Sequence, residues 1–207
     1  MRLIFILLSF FSLQANASST DELVKLLDSK LSTSTSFEEA ITSGKERAWV
    51  CKFCHGEDGN STRDNIPNLA SQNPKYLLRQ FELFATKQRY DKTMTELATS
   101  LTAEDRVNII IYYSTQLVKN RTTSNQILNN SGKEKYNLQC SSCHGNDGYG
   151  KELLPRLAGQ SNQYLINTLN NYKTNPSKRP DSPMQSIVTT LASQDIEELA
   201  EYISTMK

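Results

Sequence analysis

Apolar residues recur at helical spacing in two similar segments, one in each half of the chain. Within each segment they lie three or four positions apart, which is the spacing of one face of an α-helix. The two apolar stripes consist of Leu77, Phe81, Phe84, Leu165, Leu169 and Tyr172. Asn73 before Pro74, and Ser161, are residue types that favour helix starts. The pattern therefore predicts two equivalent helices in an all-α protein.

Further short segments repeat in the same order around these helices. Ser43-Gly44-Lys45-Glu46 returns at 131–134, and serine followed three residues later by glutamate is a capping box. Each of these segments is therefore predicted to begin a helix. A last helix is predicted in each half, over 105–117 and over 195–205. The internal repeat indicates two tandem domains of the same design.

The remaining segments divide the chain. Residues 1–17 combine Arg2, a short apolar run and the triplet Ala15-Asn16-Ala17, which together are typical of a secretory signal peptide. The run is shorter than the roughly 18–20 apolar residues of a spanning helix. Residues 18–42 are predicted to be a polar leader acting as a flexible tether, in which residues 21–27 could form one or two helical turns. Residues 119–130 are predicted to be a polar linker. The two domains are then expected at 43–118 and 131–207.

Composition excludes some classes of function. The chain has 207 residues, 37% of them hydrophobic, and a formal net charge of +1 at pH 7. These values fit a globular protein of one or two domains. Its charges form no basic stripe of the kind that binds nucleic acid.

The candidate chemistry lies in a motif that occurs twice. Cys51-Lys52-Phe53-Cys54-His55 is followed by a second copy, Cys140-Ser141-Ser142-Cys143-His144. Cys-x-x-Cys-His is the attachment signature of a c-type haem. Two thiols bind the haem covalently, and the adjacent imidazole becomes the proximal iron ligand. The sequence therefore predicts two covalently bound haem c groups.

Two other kinds of site also use paired cysteines. A redox dithiol does not require the histidine, and a zinc site needs further cysteine or histidine ligands. The two motifs contain all 4 cysteines and both of the 2 histidines of the chain. Thioether bonds would use every thiol, so we expect no disulfide.

The second axial ligands are predicted to be methionines. No histidine remains for this role, and Met94 and Met184 lie 39 and 40 residues after His55 and His144. Each methionine ends the repeated pattern Arg-x-Asp-x-x-Met. Methionine more often fills gaps in cores, which is the interpretation we give to Met206. A methionine on each iron leaves no open position, and this favours electron transfer over catalysis.

The repeated motifs resemble those of the diheme cytochrome c4 family. The similarity is carried in both halves by Pro-x-Leu-Ala-x-Gln-x-x-x-Tyr-Leu and by Arg-x-Asp-x-x-Met, and it begins near Ser43. It implies two class I cytochrome c domains related by a pseudo-two-fold axis. It also implies a periplasmic carrier that serves terminal oxidases or dehydrogenases, with at most peripheral membrane association.

The resemblance also implies roles for individual residues. The carbonyls of Pro67 and Pro155 should accept a hydrogen bond from the proximal histidines. Arg89 and Arg179 either meet haem propionates or pair with the aspartate two residues later. We further interpret Trp49, which has no counterpart in the second half, as a packed residue of the first domain.

Two other functions stay open at this point. The chain could be the fixed haem subunit of a flavocytochrome-type dehydrogenase. It could also be a diheme peroxidase, although that enzyme needs an open iron site. Pro183 precedes Met184 whereas Thr93 precedes Met94, and this asymmetry predicts two distinguishable reduction potentials.

Overall fold

The computed structural model describes residues 20–175, 179 and 182–207. Within them the chain is helical and contains no strand, apart from one isolated antiparallel bridge between Lys151 and Leu154. The predicted signal peptide, residues 1–17, lies outside the described residues. The all-α prediction is confirmed.

Each half consists of helices in one repeated order. The helices of the first half are α1 (Thr20–Leu31), α2 (Ser34–Arg47), α3 (Lys52–His55), α4 (Pro74–Ala85), α5 (Lys92–Ser100) and α6 (Ala103–Ser114). Those of the second half are α7 (Gln126–Gln139), α8 (Ser141–His144), α9 (Asn162–Thr174), α10 (Met184–Val188) and α11 (Ser193–Thr205). Among the helices of the described residues, only α1 has no counterpart, so the repeat spans α2–α6 and α7–α11.

The prediction of a flexible polar leader is wrong. Leu23 and Leu27 of α1 are 1% and 0% exposed, and they share one core cluster with Leu78 and Val107. Two leucines four positions apart lie on one face of a helix, and α1 lays that face on α4 and α6. A stripe of two leucines in a polar sequence is only a weak indication of a packed helix. The first folded unit therefore begins at Thr20 in the described chain.

The two predicted capping boxes do not begin helices. Helix α2 begins nine residues before Ser43, and its cap is Thr33, whose hydroxyl accepts a hydrogen bond from the Ser36 amide at 3.2 Å. Helix α7 likewise begins before Ser131 and is capped by Asn125. The repeated Ser-Gly-Lys-Glu segment therefore lies inside both helices.

The glycine of that segment has a packing role instead. A Cβ built on Gly44 would lie 2.0 Å from the Asn108 carbonyl oxygen, and one built on Gly132 would lie 2.0 Å from that of Glu198. Only a residue without a side chain lets α2 and α7 approach the terminal helices α6 and α11 so closely. The identical distances show that the two halves share one helix crossing.

The predicted linker is held at several points. Helix α7 takes up its last five residues, so the connection ends at Asn125. Arg121 forms an ion pair with Asp64 at 2.6 Å. The Glu201 carboxylate accepts hydrogen bonds from the Thr123 hydroxyl at 2.7 Å and the Ser124 amide at 2.8 Å. These contacts tie the connection to both halves.

A reciprocal set of hydrogen bonds joins the two halves. The Gln160 side chain accepts from the Asn68 amide at 2.6 Å and donates to the Asn68 carbonyl at 3.0 Å. The Gln72 side chain binds the amide and carbonyl of Arg156 in the same way, at 2.7 and 2.9 Å. Since Gln72 and Gln160 occupy equivalent positions of the repeat, as do their partners, the interface has pseudo-two-fold symmetry.

Candidate haem-binding site

Each Cys-x-x-Cys-His motif forms one short helical turn. The His55 amide donates to the Cys51 carbonyl at 2.9 Å, and the His144 amide donates to that of Cys140 at 3.0 Å. Residues at positions i, i+3 and i+4 of a helix lie on one face. Both cysteines and the histidine of each motif are therefore directed to the same side of their turn.

The histidine rings are oriented by the proline carbonyls, as predicted. His55 Nδ1 lies 2.9 Å from the Pro67 carbonyl oxygen, and His144 Nδ1 lies 3.0 Å from that of Pro155. A carbonyl only accepts, so Nδ1 carries the proton and Nε2 keeps its lone pair. Burial lowers the pKa of both histidines, against the opposing effect of these hydrogen bonds, and keeps the rings neutral. This tautomer suits an axial iron ligand.

The Pro-x-Leu-Ala segments are themselves fixed in place. The Leu69 amide donates to the Gly59 carbonyl at 2.7 Å, and the Leu157 amide donates to that of Gly148 at 2.7 Å. These bonds hold each proline segment against the turn that follows its histidine. The distance between the ring and its carbonyl acceptor is thereby set by the backbone.

The four thiols are free in the described chain. Burial raises the pKa of Cys51 and of Cys140 to about 11, so both thiols are protonated. The described residues contain no cluster of three or more histidine, cysteine, aspartate or glutamate side chains suited to a metal ion. A pair of free thiols beside a neutral, oriented imidazole is the donor set that covalent haem attachment requires.

The predicted methionine ligands lie at the starts of two equivalent helices. Met94 is in the first turn of α5, and its amide donates to the Asp91 side chain at 3.0 Å. Met184 is the first residue of α10 and packs on the second core cluster, which Cys140 also contacts. The aspartate of the first Arg-x-Asp-x-x-Met segment thus caps the helix of its methionine. Coordination of iron by either sulfur stays a prediction.

Arg89 does not form the predicted pair with Asp91, and the predicted pair of Arg179 with Asp181 lies outside the described residues. Arg89 donates to Gln80 at 2.6 Å and stacks on Phe84, with its guanidinium carbon 4.4 Å from the ring centroid. Arg179 donates to the Tyr164 hydroxyl at 2.9 Å. Neither arginine forms an ion pair with a carboxylate in the described part of the chain, where Asp181 is not included.

The two arginines and two tyrosines form one cluster between the halves. Burial raises the pKa of Tyr164, but Arg179 and Arg89 outweigh that effect and lower it. Burial raises the pKa of Tyr76, and the same two arginines oppose that rise. A shared positive field around two phenols is suited to an anionic group.

An exposed aromatic pair was missed at the sequence level. Trp49 is 59% exposed, which corrects the prediction that it packs inside the first domain. Its ring meets Phe53, itself 60% exposed, edge to face at a centroid distance of 5.9 Å. In the second half, Ser142 stands in place of Phe53, and the residue two positions before the first cysteine is Leu138, which is 83% exposed. Only the loss of an aromatic residue from the second copy could have indicated a surface position.

Comparisons with known proteins agree with this geometry. Residues 130–207 match a family model described as Cytochrome c. The chain is 32% identical to cytochrome c4 of Pseudomonas aeruginosa, over 78% of this chain and 86% of that relative. The prediction of a family resemblance made from the motifs is confirmed.

Solved structures show the same similarity. Reduced cytochrome c4 from Pseudomonas stutzeri superposes with a TM-score of 0.74 at 27% identity, covering 80% of this chain and 98% of that one. A thiosulfate dehydrogenase from Marichromatium purpuratum gives a TM-score of 0.67 at 26% identity, covering 83% of this chain and 40% of that one. The arrangement of two helical domains is therefore shared with haem proteins of known structure.

Proposed function

Because this chain belongs to the cytochrome c4 family, whose members are diheme electron carriers, we propose that each of its two motif turns holds one haem c. The family binds haem c, and the free thiols and oriented imidazoles fit that group. When bound, the haem iron supplies a one-electron ferric/ferrous couple.

The proposed attachment and ligand residues divide into three kinds. Thioether bonds would form at Cys51, Cys54, Cys140 and Cys143. His55 and His144 would be the proximal ligands, and Met94 and Met184 the distal ones. Their equivalent positions in the repeat, and their place in the first turn of α5 and of α10, support this assignment.

The surrounding residues tune these ligands. Each Nδ1–H···O=C bond fixes the plane of the ring and raises the basicity of Nε2. A methionine thioether is a neutral, soft ligand and favours the reduced metal more than an imidazole does. If a histidine and a methionine held each iron, no position would be left for a substrate, and these residues therefore support electron transfer rather than catalysis.

The cluster of Arg89, Arg179, Tyr76 and Tyr164 is proposed to receive haem propionates. Guanidinium groups without an ion-pair partner among the described residues, placed beside phenols, match a carboxylate in charge and in hydrogen bonding. Since one tyrosine and one arginine come from each half, the cluster would bring the two redox centres to the interface. This placement supports transfer between them within one molecule.

We also propose the domain organisation and the location. The first domain extends from Thr20 to about residue 118 and the second from about 126 to 207. The signal-like residues 1–17 support export to the periplasm, where the partners would be a redox donor and an acceptor such as an oxidase or a dehydrogenase. No helix among the described residues combines the length and the apolarity that crossing a bilayer requires.

The observation that carries the proposal is the pair of Nδ1–carbonyl bonds, which leave both Nε2 atoms as lone-pair donors. The test is haem content of the purified holoprotein, by alkaline pyridine spectrum and intact mass, followed by a redox titration. We expect two covalent haems per chain and low-spin spectra. One haem per chain, or a mass without covalent haem, would contradict it.

A second candidate is a haem subunit fixed in a dehydrogenase complex. The chain is similar to a thiosulfate dehydrogenase structure, and the match covers 40% of that longer chain. A shared architecture within a larger enzyme favours this role. Stable co-purification with a catalytic subunit at high salt would support this role, whereas a free monomeric holoprotein supports the carrier. Peroxide turnover or a high-spin haem would instead support the diheme peroxidase.

A further inference from the structure

The two halves differ at one buried contact beside the first cysteine of the motif. Ala48 lies four residues after the glycine of α2 and directly follows that helix. The equivalent position, four residues after the glycine of α7, is Tyr136. On the terminal helices the difference is reversed, with Tyr113 in α6 and Ile203 in α11. Each half therefore has one tyrosine at this contact, supplied by opposite helices.

Backbone hydrogen bonds confirm that these positions are equivalent. The Ser71 amide donates to the Tyr113 carbonyl at 3.1 Å, and the Gly159 amide donates to that of Ile203 at 3.0 Å. Ser71 and Gly159 follow the two Pro-x-Leu-Ala segments directly. The exchange of a large residue for a small one is therefore compensated across the same pair of helices.

The tyrosine of the second half has a hydrogen-bond partner. Tyr136 is 0% exposed, and its hydroxyl donates to the Gly145 carbonyl at 2.7 Å. Its one proton is therefore used by the backbone just after His144. The opposite position, Ile203, is apolar and brings no donor to the pocket.

The tyrosine of the first half has none. Tyr113 is 1% exposed, and its hydroxyl has no hydrogen-bond partner among the described residues. It belongs to a buried cluster with Ala48, and Cys51 and Leu69 pack against that cluster. Burial raises the pKa of Tyr113, and the nearby Cys51 thiol raises it further, so the phenol stays protonated. A buried hydroxyl left unpaired is costly, so such a group normally has a partner.

We propose that the Tyr113 hydroxyl is a hydrogen-bond donor to the first haem centre, either to the Cys51 thioether sulfur or to the macrocycle, and that it distinguishes this centre from the second. The inference rests on the proposed attachment of haem at Cys51. The phenol borders the site of attachment, and it needs an acceptor that none of the described residues provides. Sulfur is a weak acceptor, and hydrogen bonds around a haem are one of the factors that set its potential.

The direction of the effect follows from the sign of the dipole. A donated hydrogen would place positive charge next to the macrocycle or next to the thioether attached to it, and so near the iron. Positive charge there stabilises the ferrous form, which carries one more electron, relative to the ferric form. Tyr113 therefore raises the potential of the first haem, and the second haem lacks an equivalent donor.

The test is a redox titration of the Tyr113→Phe holoprotein. Phenylalanine keeps the ring and removes only the unpaired hydroxyl. We expect the ferrous-to-ferric ratio of the first haem at fixed solution potential to fall by a factor of about 3 to 10, or about 30 to 60 mV, since 59 mV is tenfold for one electron. The second midpoint should not move. The Met94→His variant, which alters the first haem alone, assigns the two midpoints.

Tyr112→Phe is the matched control. It removes a hydroxyl from the adjacent residue of the same helix, but that hydroxyl donates to the Glu57 carbonyl at 2.9 Å, so neither midpoint should move. Tyr113→Leu, which imitates the apolar residue of the second half, should shift the first midpoint in the same direction as Tyr113→Phe.

Three results overturn the inference: an unchanged first midpoint, a rise in it, or an equal shift of both midpoints in the Tyr113 variants. The proposed function fails separately. Fewer than two covalent haems in the unmutated protein, or a Met94→His spectrum identical to it, would contradict the haem assignment itself. Haem content and midpoints are measured on the same samples, so the two failures are distinguishable.

Discussion

Gln160 holds both backbone groups of Asn68, a residue 92 positions earlier in the chain, with hydrogen bonds of 2.6 and 3.0 Å. A side-chain amide carries both a hydrogen-bond acceptor and a donor. It can therefore bind the N–H and the C=O of one residue at the same time, as a neighbouring backbone would. Both residues are buried, at 7% and 5% exposure. At this interface, side-chain amides therefore make the hydrogen bonds that a neighbouring backbone strand would otherwise make.

Replacing this amide should weaken the interface. Gln160→Ala leaves the amide and carbonyl of Asn68 without that partner, at a cost of about 1–3 kcal/mol for each buried group left unpaired. We expect a lower urea midpoint for the holoprotein. Gln160→Glu keeps the acceptor but loses the donor. Its urea midpoint should lie between that of the unmutated protein and that of Gln160→Ala.

Gln163→Ala is the control for this series. Its amide is on the exposed side of α9, where it donates to Asn167 one helical turn away at 3.0 Å. It should change the free energy of unfolding by less than about 0.5 kcal/mol, as surface substitutions usually do, so the urea midpoint should hardly move. Equal effects of Gln160→Ala and Gln163→Ala would show that the interface bonds contribute no stability.

Removing a distal sulfur should open one iron site. In Met94→Ala holoprotein we expect one haem to become high-spin and its potential to fall, because the soft neutral ligand is lost. The absorption and magnetic circular dichroism spectra report both changes. Met206→Leu is the control, since Met206 packs on the core near Gly148, and both haems should stay low-spin. An unaltered Met94→Ala spectrum would refute the ligand assignment.

Acid should act on the connection between the halves through Glu201. Burial raises the pKa of this carboxyl, but the hydrogen bonds from Thr123, Ser124 and Asn125 outweigh it and lower the pKa. A depressed folded pKa contributes stability above the unfolded value, and that contribution is lost as the pH falls through the folded value.

Glu201→Gln should therefore destabilise the protein most near neutral pH. We expect a loss of about 1–3 kcal/mol at pH 7, the range for hydrogen bonds to a charged group and for buried donors left unpaired. The difference from the unmutated protein should shrink as the pH falls below the usual glutamate pKa of 4.5. Urea unfolding measured at several pH values checks this, and a pH-independent difference would contradict it.

The first half contains a buried ion pair that has no counterpart at the equivalent positions of the second half. Arg106 and Glu82 lie 2.6 Å apart with side chains 10% and 11% exposed, and the second half has Ile196 and Asn170 at these positions. Arg106→Met leaves an uncompensated buried carboxylate, for an expected loss of about 3–5 kcal/mol. The double variant Arg106→Met with Glu82→Leu should recover most of it. Thermal unfolding of both variants measures the difference, and an equal loss in both would show that the charge is not the cause.

The residues of this sequence determined most of the candidate site. The duplicated Cys-x-x-Cys-His motif specifies its own geometry, because positions i, i+3 and i+4 share a face in any helical turn. Because the two motifs use both histidines of the chain, the sequence predicts methionine as the distal ligand. Spacing also predicted the helices α4, α6, α9 and α11 to within a few residues, since their apolar stripes are regular.

What only the tertiary structure decided depends on contacts between distant residues. The segment that contains Leu23 and Leu27 was predicted to be a polar leader because its apolar stripe is narrow. Only the packing of that stripe on α4 and α6 shows that the two leucines complete a core. Gly44 and Gly132 looked like parts of capping boxes, whereas the closeness of a second helix is what demands glycine. The difference between Tyr113 and Ile203 can be read from the sequence. It matters because the Tyr113 hydroxyl is buried with no hydrogen-bond partner among the described residues, which only the structure shows. Local patterns specify local geometry, while the cost of an unpaired or misplaced group is set by whatever packs against it.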